Sequence, residues 1–348
     1  MGQATTSANR FEAGEQITPA MIAGLAEEAV ERLDGFVHET PLLSSEALSS
    51  GEAQIFVKDE TQQPGGSFKD RGAGNAVLYH ADEGEQMVVT ASAGNHGKGV
   101  ARAAKERGMD ATVVVPNTAS QEKKKGIEKL LGEVLVHGSN FNEALDYSLR
   151  LAESLSGSAH VHPYADRLVM AGQASLGLEL LRQTPDMTHL VLPVGGGGML
   201  AGVGSVIKHH RKDVEVIAAQ VTGNSAFVDS LEVGKPLQGR PIISHFEGIA
   251  VGNVHPITFD LARQVVDRTV VVDPELVDQT MYDYRKEHDT LLERAGAVSP
   301  AAARHLALTA FAGEEVKIVA VASGANPPQV LSKWLSARAR RRGWDMAA

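Results

Sequence analysis

Short β-rich runs alternate with amphipathic helical stretches from about Ala53 onward, and this alternation narrows the fold more than any other feature. The runs are Gln54–Lys58, Met87–Thr90, Ala111–Pro116, Val134–His137, His189–Pro193, Glu215–Gln220, Arg268–Val272 and Val316–Ala322. Helical periodicity marks Lys98–Arg107 (stopped by Gly108), Phe141–Leu155 (stopped near Gly157), Ala171–Gln183 and Leu200–His210. Strands alternating with helices need parallel pairing and helical crossovers, so an α/β fold with parallel sheets is expected. The 348 residues exceed one compact core, and two domains are expected. Upstream, Ile17–Glu39 reads as a helix leading to Thr40-Pro41 and a strand.

Composition excludes several function classes. The net charge of -10 argues against a nucleic-acid or anionic-membrane surface as the main partner. Without cysteine there is no disulfide, thiolate catalysis or cysteine-ligated metal. No apolar run reaches bilayer-spanning length, and the polar stretch Met1–Glu15 lacks the apolar core of a secretory signal, so a cytoplasmic protein is expected. The basic stretch Leu331–Arg342 reads as a solvated terminal helix rather than a site for an acidic partner.

Four motifs carry chemistry. In Gly65-Gly66-Ser67-Phe68-Lys69-Asp70-Arg71-Gly72, Ser67 is the expected helix N-cap and Lys69 falls in the first turn. The helix dipole and partial burial both disfavour an ammonium there, which favours a neutral, nucleophilic amine. A lysine alone at a helix start is more often a solvated surface residue, but the other motifs weigh against that. The second is Thr90-Ala91-Ser92-Ala93-Gly94-Asn95-His96-Gly97, where a small-residue loop enters a helix. Such a loop exposes backbone N–H groups to a carboxylate or phosphate, although an ordinary turn uses the same residues.

The third, Val194-Gly195-Gly196-Gly197-Gly198-Met199-Leu200-Ala201-Gly202, follows the strand His189–Pro193. Four consecutive glycines are costly in chain entropy, and close backbone approach to a phosphate is the usual reason. Gly196, Gly198 and Ala201 also fit a dinucleotide fingerprint, but the next strand ends in Gln220 where an acidic ribose ligand is needed. No Lys-Ser/Thr pair follows the glycines, so a P-loop fails too. The fourth, Ser323-Gly324-Ala325-Asn326, closes the strand Val316–Ala322, at the edge where α/β folds place ligand contacts.

As a set, in this order, the motifs resemble the fold type II pyridoxal-phosphate enzymes, nearest the threonine/serine dehydratase (threonine ammonia-lyase) branch. The likeness runs from about Thr40 to Gln329. Ala171-Gly172-Gln173, Leu178-Glu179-Leu180-Leu181 and Glu247-Gly248-Ile249-Ala250-Val251 extend it. The resemblance implies two open, mostly parallel α/β domains with pyridoxal 5'-phosphate in the cleft between them. The large domain would span 1–60 plus 164–348 and the small one 61–163. It implies that Lys69 bonds the cofactor and serves as general base. Phe68 and Glu293 would lie by the cofactor ring, and Asn95 would bond the ring hydroxyl. Gly195, Gly196, Gly197, Gly198 and Met199 would cradle the phosphate, and Ser323 would face the ring nitrogen. The loop Ser92, Ala93, Gly94, Asn95 and His96 would hold the substrate carboxylate. A β-hydroxy amino acid such as L-threonine or L-serine would be converted to a 2-oxo acid and ammonium, by a homodimer. The alternative is elimination or β-replacement on a phosphorylated or otherwise specialised hydroxyamino acid, as in an enzyme like a threonine synthase or a 3-hydroxyaspartate dehydratase.

Departures from that pattern bear on specificity. Ala93 stands where related racemases carry a second serine, which favours elimination over racemisation. Gln220 and Ala226 stand where some relatives hold a divalent cation with carboxylates, so no metal is expected. Lys98 replaces a usual glutamine and adds positive charge by the substrate loop. Glu293-Arg294-Ala295-Gly296-Ala297 replaces Glu-Pro-Ser-Gly-Ala, and Asp70 is more typical of threonine synthases. The short stretch after Ser323 implies the type without a C-terminal regulatory domain.

Overall fold

The computed structural model describes residues 17–130, 133–240 and 242–344. The reading of Met1–Glu15 lies outside the described residues. In chain order the elements are α1 (Pro19–Arg32), β1 (Leu42–Ser44), β2 (Ala53–Asp59), α2 (Lys69–Asp82), β3 (Met87–Ala91), α3 (Asn95–Arg107), β4 (Asp110–Val115) and α4 (Gln121–Glu128). Next come β5 (Glu133–Val136), α5 (Phe141–Ser154), β6 (Ser158–His160), α6 (Arg167–Gln183), β7 (His189–Pro193), α7 (Gly198–His210), β8 (Glu215–Val221) and α8 (Ala226–Val233). The chain finishes with α9 (Pro256–Val265), β9 (Arg268–Val272), α10 (Pro274–His288), α11 (Val298–Leu308), β10 (Val316–Ala322) and α12 (Val330–Arg342).

Two sheets result. A six-stranded sheet has the order β1-β2-β10-β7-β8-β9, parallel except for the antiparallel edge pair β1–β2. A four-stranded parallel sheet has the order β5-β4-β3-β6. Central strands such as β7 and β10 are buried almost throughout, as parallel strands covered on both faces must be. In both sheets the strand pattern read from the sequence holds to within a residue at most ends. The three-residue β6 was not legible, because so short a run carries no periodicity; pairing with Met87–Val89 defines it.

Three other readings need correction. The first helix ends at Arg32, not Glu39, because Gly35 turns the chain in the left-handed region and Phe36 folds back into the core. Ser67 does not cap α2. Phe68 holds that position without a side-chain bond, while Ser67 pairs with Gly324 in an antiparallel bridge. The terminal helix α12 is also less solvated than expected. Its Arg338 pairs with Asp278 and its Arg342 with Glu275, both on α10.

Candidate active site

The turn before α2 is stitched to the end of β10, which brings two of the motifs together. The Phe68 N–H donates to the Ser323 carbonyl (3.1 Å), and the Ala325 N–H to the Gly66 carbonyl (3.0 Å). Gly66 has φ +73°, and a Cβ there would lie 3.0 Å from the Asn326 amide, so the turn needs glycine twice over. Buried Asp70 accepts from the Gly65 N–H and pairs with Arg102 on α3, holding the turn from behind.

Lys69 opens α2 with its amine largely out of water. Nζ donates to the Pro163 carbonyl (2.8 Å) and lies 5.1 Å from the centre of the Phe68 ring. No carboxylate lies within 4 Å among the described residues. Burial alone lowers its pKa to about 8, so about a tenth of the amine is neutral at pH 7, far more than for an ordinary lysine. Phe68 packs on the core that contains Met199 and Val254, which fixes the plane against which Lys69 sits.

The second motif arrives on α3. Asn95 Nδ2 donates to Glu293 Oε1 (2.9 Å), and its Oδ1 accepts from Asn326 Nδ2 (3.1 Å). The Glu293 N–H in turn donates to the Gly324 carbonyl (3.1 Å). Asn95, Glu293, Ser323 and Asn326 are therefore linked through hydrogen bonds and adjoining backbone. Burial raises the Glu293 carboxyl above its usual range, against bonds from Asn95 and the Asn326 backbone that pull it down. In the loop itself, Ser92 Oγ accepts from the Gly94 N–H, and Ala93 packs on the Val113–Ile127 cluster. The His96 ring turns inward, with Nε2 3.3 Å from the Val161 carbonyl, and burial holds its pKa well below the ordinary value. The His96 side chain is buried, and its Nδ1 has no hydrogen-bond partner among the described residues. No side chain caps α3.

The tetraglycine forms the turn into α7, also without a side-chain cap. Its backbone is hemmed in from behind. A Cβ on Gly196 would lie 2.3 Å from the Tyr164 ring, and one on Gly198 would lie 2.8 Å from the Tyr164 carbonyl. On Gly195 it would lie 2.9 Å from Ile249, and on Gly197, at φ +88°, 2.5 Å from Phe227. Packing by itself thus accounts for all four glycines. It also presses the loop into one shape, with an uncapped helix start able to take a phosphate. Tyr164 adjoins Pro163, the residue that holds Lys69, so the third motif is tied to the first.

His162, Pro163 and Tyr164 are the part of the site missed in the sequence. They lie in an irregular turn between β6 and α6 with no spacing signal of their own. His162 Nδ1 accepts from the Tyr164 and Ala165 N–H groups, and its ring meets Tyr164 edge-on at 4.6 Å. Burial and the neighbouring histidines and Lys69 keep it neutral. Gln220 uses its whole amide. It donates to the Val194 carbonyl (2.9 Å) and accepts from the Phe227 and Val228 N–H groups (3.1 and 2.8 Å), so it caps α8. Arg294 points away from the site, to Asp278 (2.9 Å) and the Trp334 ring (4.3 Å).

The family model for pyridoxal-phosphate dependent enzymes matches residues 33–324. The chain belongs to this family. Its cofactor is pyridoxal phosphate, and the residues around Lys69 fit it: a desolvated amine without an ion-pair partner lies among two uncapped helix starts. Among curated relatives, an L-threonine ammonia-lyase of Thermotoga maritima is 37% identical over 303 residues, covering 86% of this chain and 74% of its own. A catabolic L-threonine dehydratase, TdcB, of Staphylococcus aureus is 34% identical over 306 residues, covering 87% and 88%. Among solved structures, processed threonine deaminase isoform 2 of Solanum lycopersicum superposes with TM-score 0.84 at 29% identity, over 94% of this chain and 95% of that one. Maize serine racemase superposes with TM-score 0.83 at 28% identity, over 92% and 98%. These matches agree with the mostly parallel, two-sheet α/β architecture.

Proposed function

We propose that this protein is an ammonia-lyase that converts a β-hydroxy amino acid such as L-threonine or L-serine to a 2-oxo acid and ammonium. The observation that carries the reading is Lys69, an amine with its pKa lowered by burial and held by one carbonyl at the meeting point of all four motifs. The names of the curated relatives support the substrate class.

In this reading Lys69 bonds the cofactor, and Gly195–Gly198 with Met199 hold its phosphate by backbone N–H groups. Asn95 serves the ring hydroxyl, Ser323 the ring nitrogen, and Phe68 and Glu293 flank the ring. Pyridoxal phosphate, when bound, supplies an electron sink that acidifies the Cα–H of an attached amino acid. The start of α3 and the loop Ser92–His96 bind the substrate carboxylate. Freed Lys69 takes the α-proton. A neutral hydroxyl at Ser323, in place of a carboxylate, leaves the ring nitrogen unprotonated and favours loss of the β-hydroxyl over transamination. The methyl of Ala93 cannot donate or accept a proton, so the opposite face of Cα has no proton carrier there and racemisation is disfavoured.

The same reading includes a division into 61–163 and 1–60 plus 164–348, supported by the separate chain segments that supply the two sheets. A cytoplasmic homodimer is part of it. No helix among the described residues is long and apolar enough to cross a membrane. The net charge of -10 favours a small-molecule substrate over nucleic acid.

The test is to add L-threonine or L-serine to the holoprotein and measure 2-oxo acid and ammonium. Release of 2-oxobutyrate and pyruvate respectively is expected. A protein that shows the visible absorbance of lysine-bound cofactor but releases no 2-oxo acid from L-threonine, L-serine or threo-3-hydroxyaspartate would overturn the reading.

A further inference from the structure

Lys98 is a cation at the site that the ammonia-lyase reading leaves unused. It stands one helical turn after Asn95, on the same face of α3. It is partly buried, yet it forms no ion pair within 4 Å among the described residues. Gly126 on α4 gives it room. A Cβ there would come within 3.2 Å of Lys98 Cε and 4.0 Å of Nζ.

Two acidic groups of this region already have partners. Glu293 accepts from Asn95 Nδ2 and from the Asn326 backbone, and burial raises its carboxyl above the usual range. Lys98 lies close enough to Glu293 to act on that carboxyl in the opposite direction. Glu247 is paired with Lys123 of α4. An ammonium on a partly buried side chain with no ion-pair partner is free to attract an anionic group. Beside a loop suited to the substrate α-carboxylate, the group within its reach is the substituent on Cβ.

We infer that Lys98 selects a β-hydroxy amino acid bearing a second carboxylate on Cβ, so that a 3-hydroxyaspartate-type dicarboxylate is a better substrate than L-threonine. This rests on the ammonia-lyase reading and names its substrate class. The chemistry is redox-neutral. The Cα–H proton goes to Lys69, the Cβ–O bond breaks, and the hydroxyl leaves as water. The resulting enamine tautomerises to an imine, and hydrolysis returns that water to give the 2-oxo dicarboxylic acid and ammonium. Lys98 takes no part in bond making. It fixes the β-carboxylate and so acts on binding and orientation.

The experiment compares kcat/KM of the holoenzyme for L-threo-3-hydroxyaspartate and L-threonine, in the wild type, Lys98→Gln and Lys98→Arg. The wild type is expected to prefer the dicarboxylate by about tenfold or more. Lys98→Gln should cut that ratio at least about tenfold, chiefly through KM, and Lys98→Arg should keep most of it. A wild type that prefers threonine, or a ratio that Lys98→Gln moves less than about threefold, overturns the inference and leaves the lyase reading intact. Failure of the wild type to release a 2-oxo acid from either compound overturns the lyase reading and this inference with it.

Discussion

Lys69 and Arg71 stand two residues apart at the start of α2, in opposite surroundings. The fully buried Arg71 guanidinium donates to Glu60 (2.7 and 2.8 Å), to Glu179 (2.6 and 2.9 Å) and to Ser175 (3.1 Å). Lys58 joins the same carboxylate from β2, 2.6 Å from Glu179, and donates as well to the Thr40 carbonyl and to Gln183. Two cations thus face two carboxylates. Burial raises the Glu60 carboxyl, but Arg71 and the Thr40 hydroxyl outweigh it and hold the group ionised. Burial lowers Arg71 likewise, and its two carboxylates more than reverse that. Lys69 has one carbonyl, and its burial goes uncompensated. Where charge is paired, the fold locks β2, α2 and α6 together; where it is left unpaired, the same burial lowers the pKa of the amine, which the proposed reading uses as reactivity.

The sharpest way to break this contrast is to remove each cation and read both activity and stability. Lys69→Ala should lower turnover by at least about 10³-fold and abolish the visible band of the bound cofactor. Its stability should stay within about 1 kcal/mol of the parent apoprotein, since a poorly compensated cation has been taken away. Denaturant unfolding of the two apoproteins measures this. A variant with near-parental turnover would remove Lys69 from the chemistry.

Arg71→Met should do the reverse. It leaves Glu60 and Glu179 buried with Lys58 as the remaining cation, a loss of about 3–5 kcal/mol. Urea denaturation of the apoprotein would show the fall in midpoint. A loss under about 1 kcal/mol would mean that the cluster adds little beyond an apolar core. Replacing Lys58, Glu60, Arg71 and Glu179 together with apolar residues of matching volume should recover much of the loss, which separates an unpaired charge from lost packing.

The contrast also marks how far the sequence could be read. Parallel sheets were legible because β7, β8 and β10 are continuous apolar runs between helical repeats. Lys69 was legible because a Gly-Gly turn and a helix start stand beside it within eight residues. The pairing of Arg71 with Glu179 joins residues 108 apart and leaves no local trace. The same holds for Asn95 and Glu293, 198 apart. Ser67 misled for a related reason: local chemistry favours a serine cap, but tertiary pairing with Gly324 took that residue into a bridge. The glycines at 195–198 were read as room for a phosphate, yet their missing side chains also make room for Tyr164, Ile249 and Phe227, which only the fold brings there.

The smallest expected effect sharpens the comparison most directly, because it titrates one region and not the other. Glu60 and Arg71 are each held further from neutrality than usual, so their charges stay fixed near pH 7. Lys69 is lowered to about 8. The neutral amine is the nucleophile, so its fraction rises with pH and levels off above that value. Cofactor capture by the apoprotein, followed as growth of the visible band, should therefore speed up about fivefold from pH 7 to 8 and by less than about twofold beyond. An ordinary lysine would instead gain about tenfold per pH unit up to pH 10. A rate still climbing tenfold per unit above pH 9 would show that the Pro163 carbonyl and the surrounding water keep Lys69 charged, and that its burial does not set its reactivity.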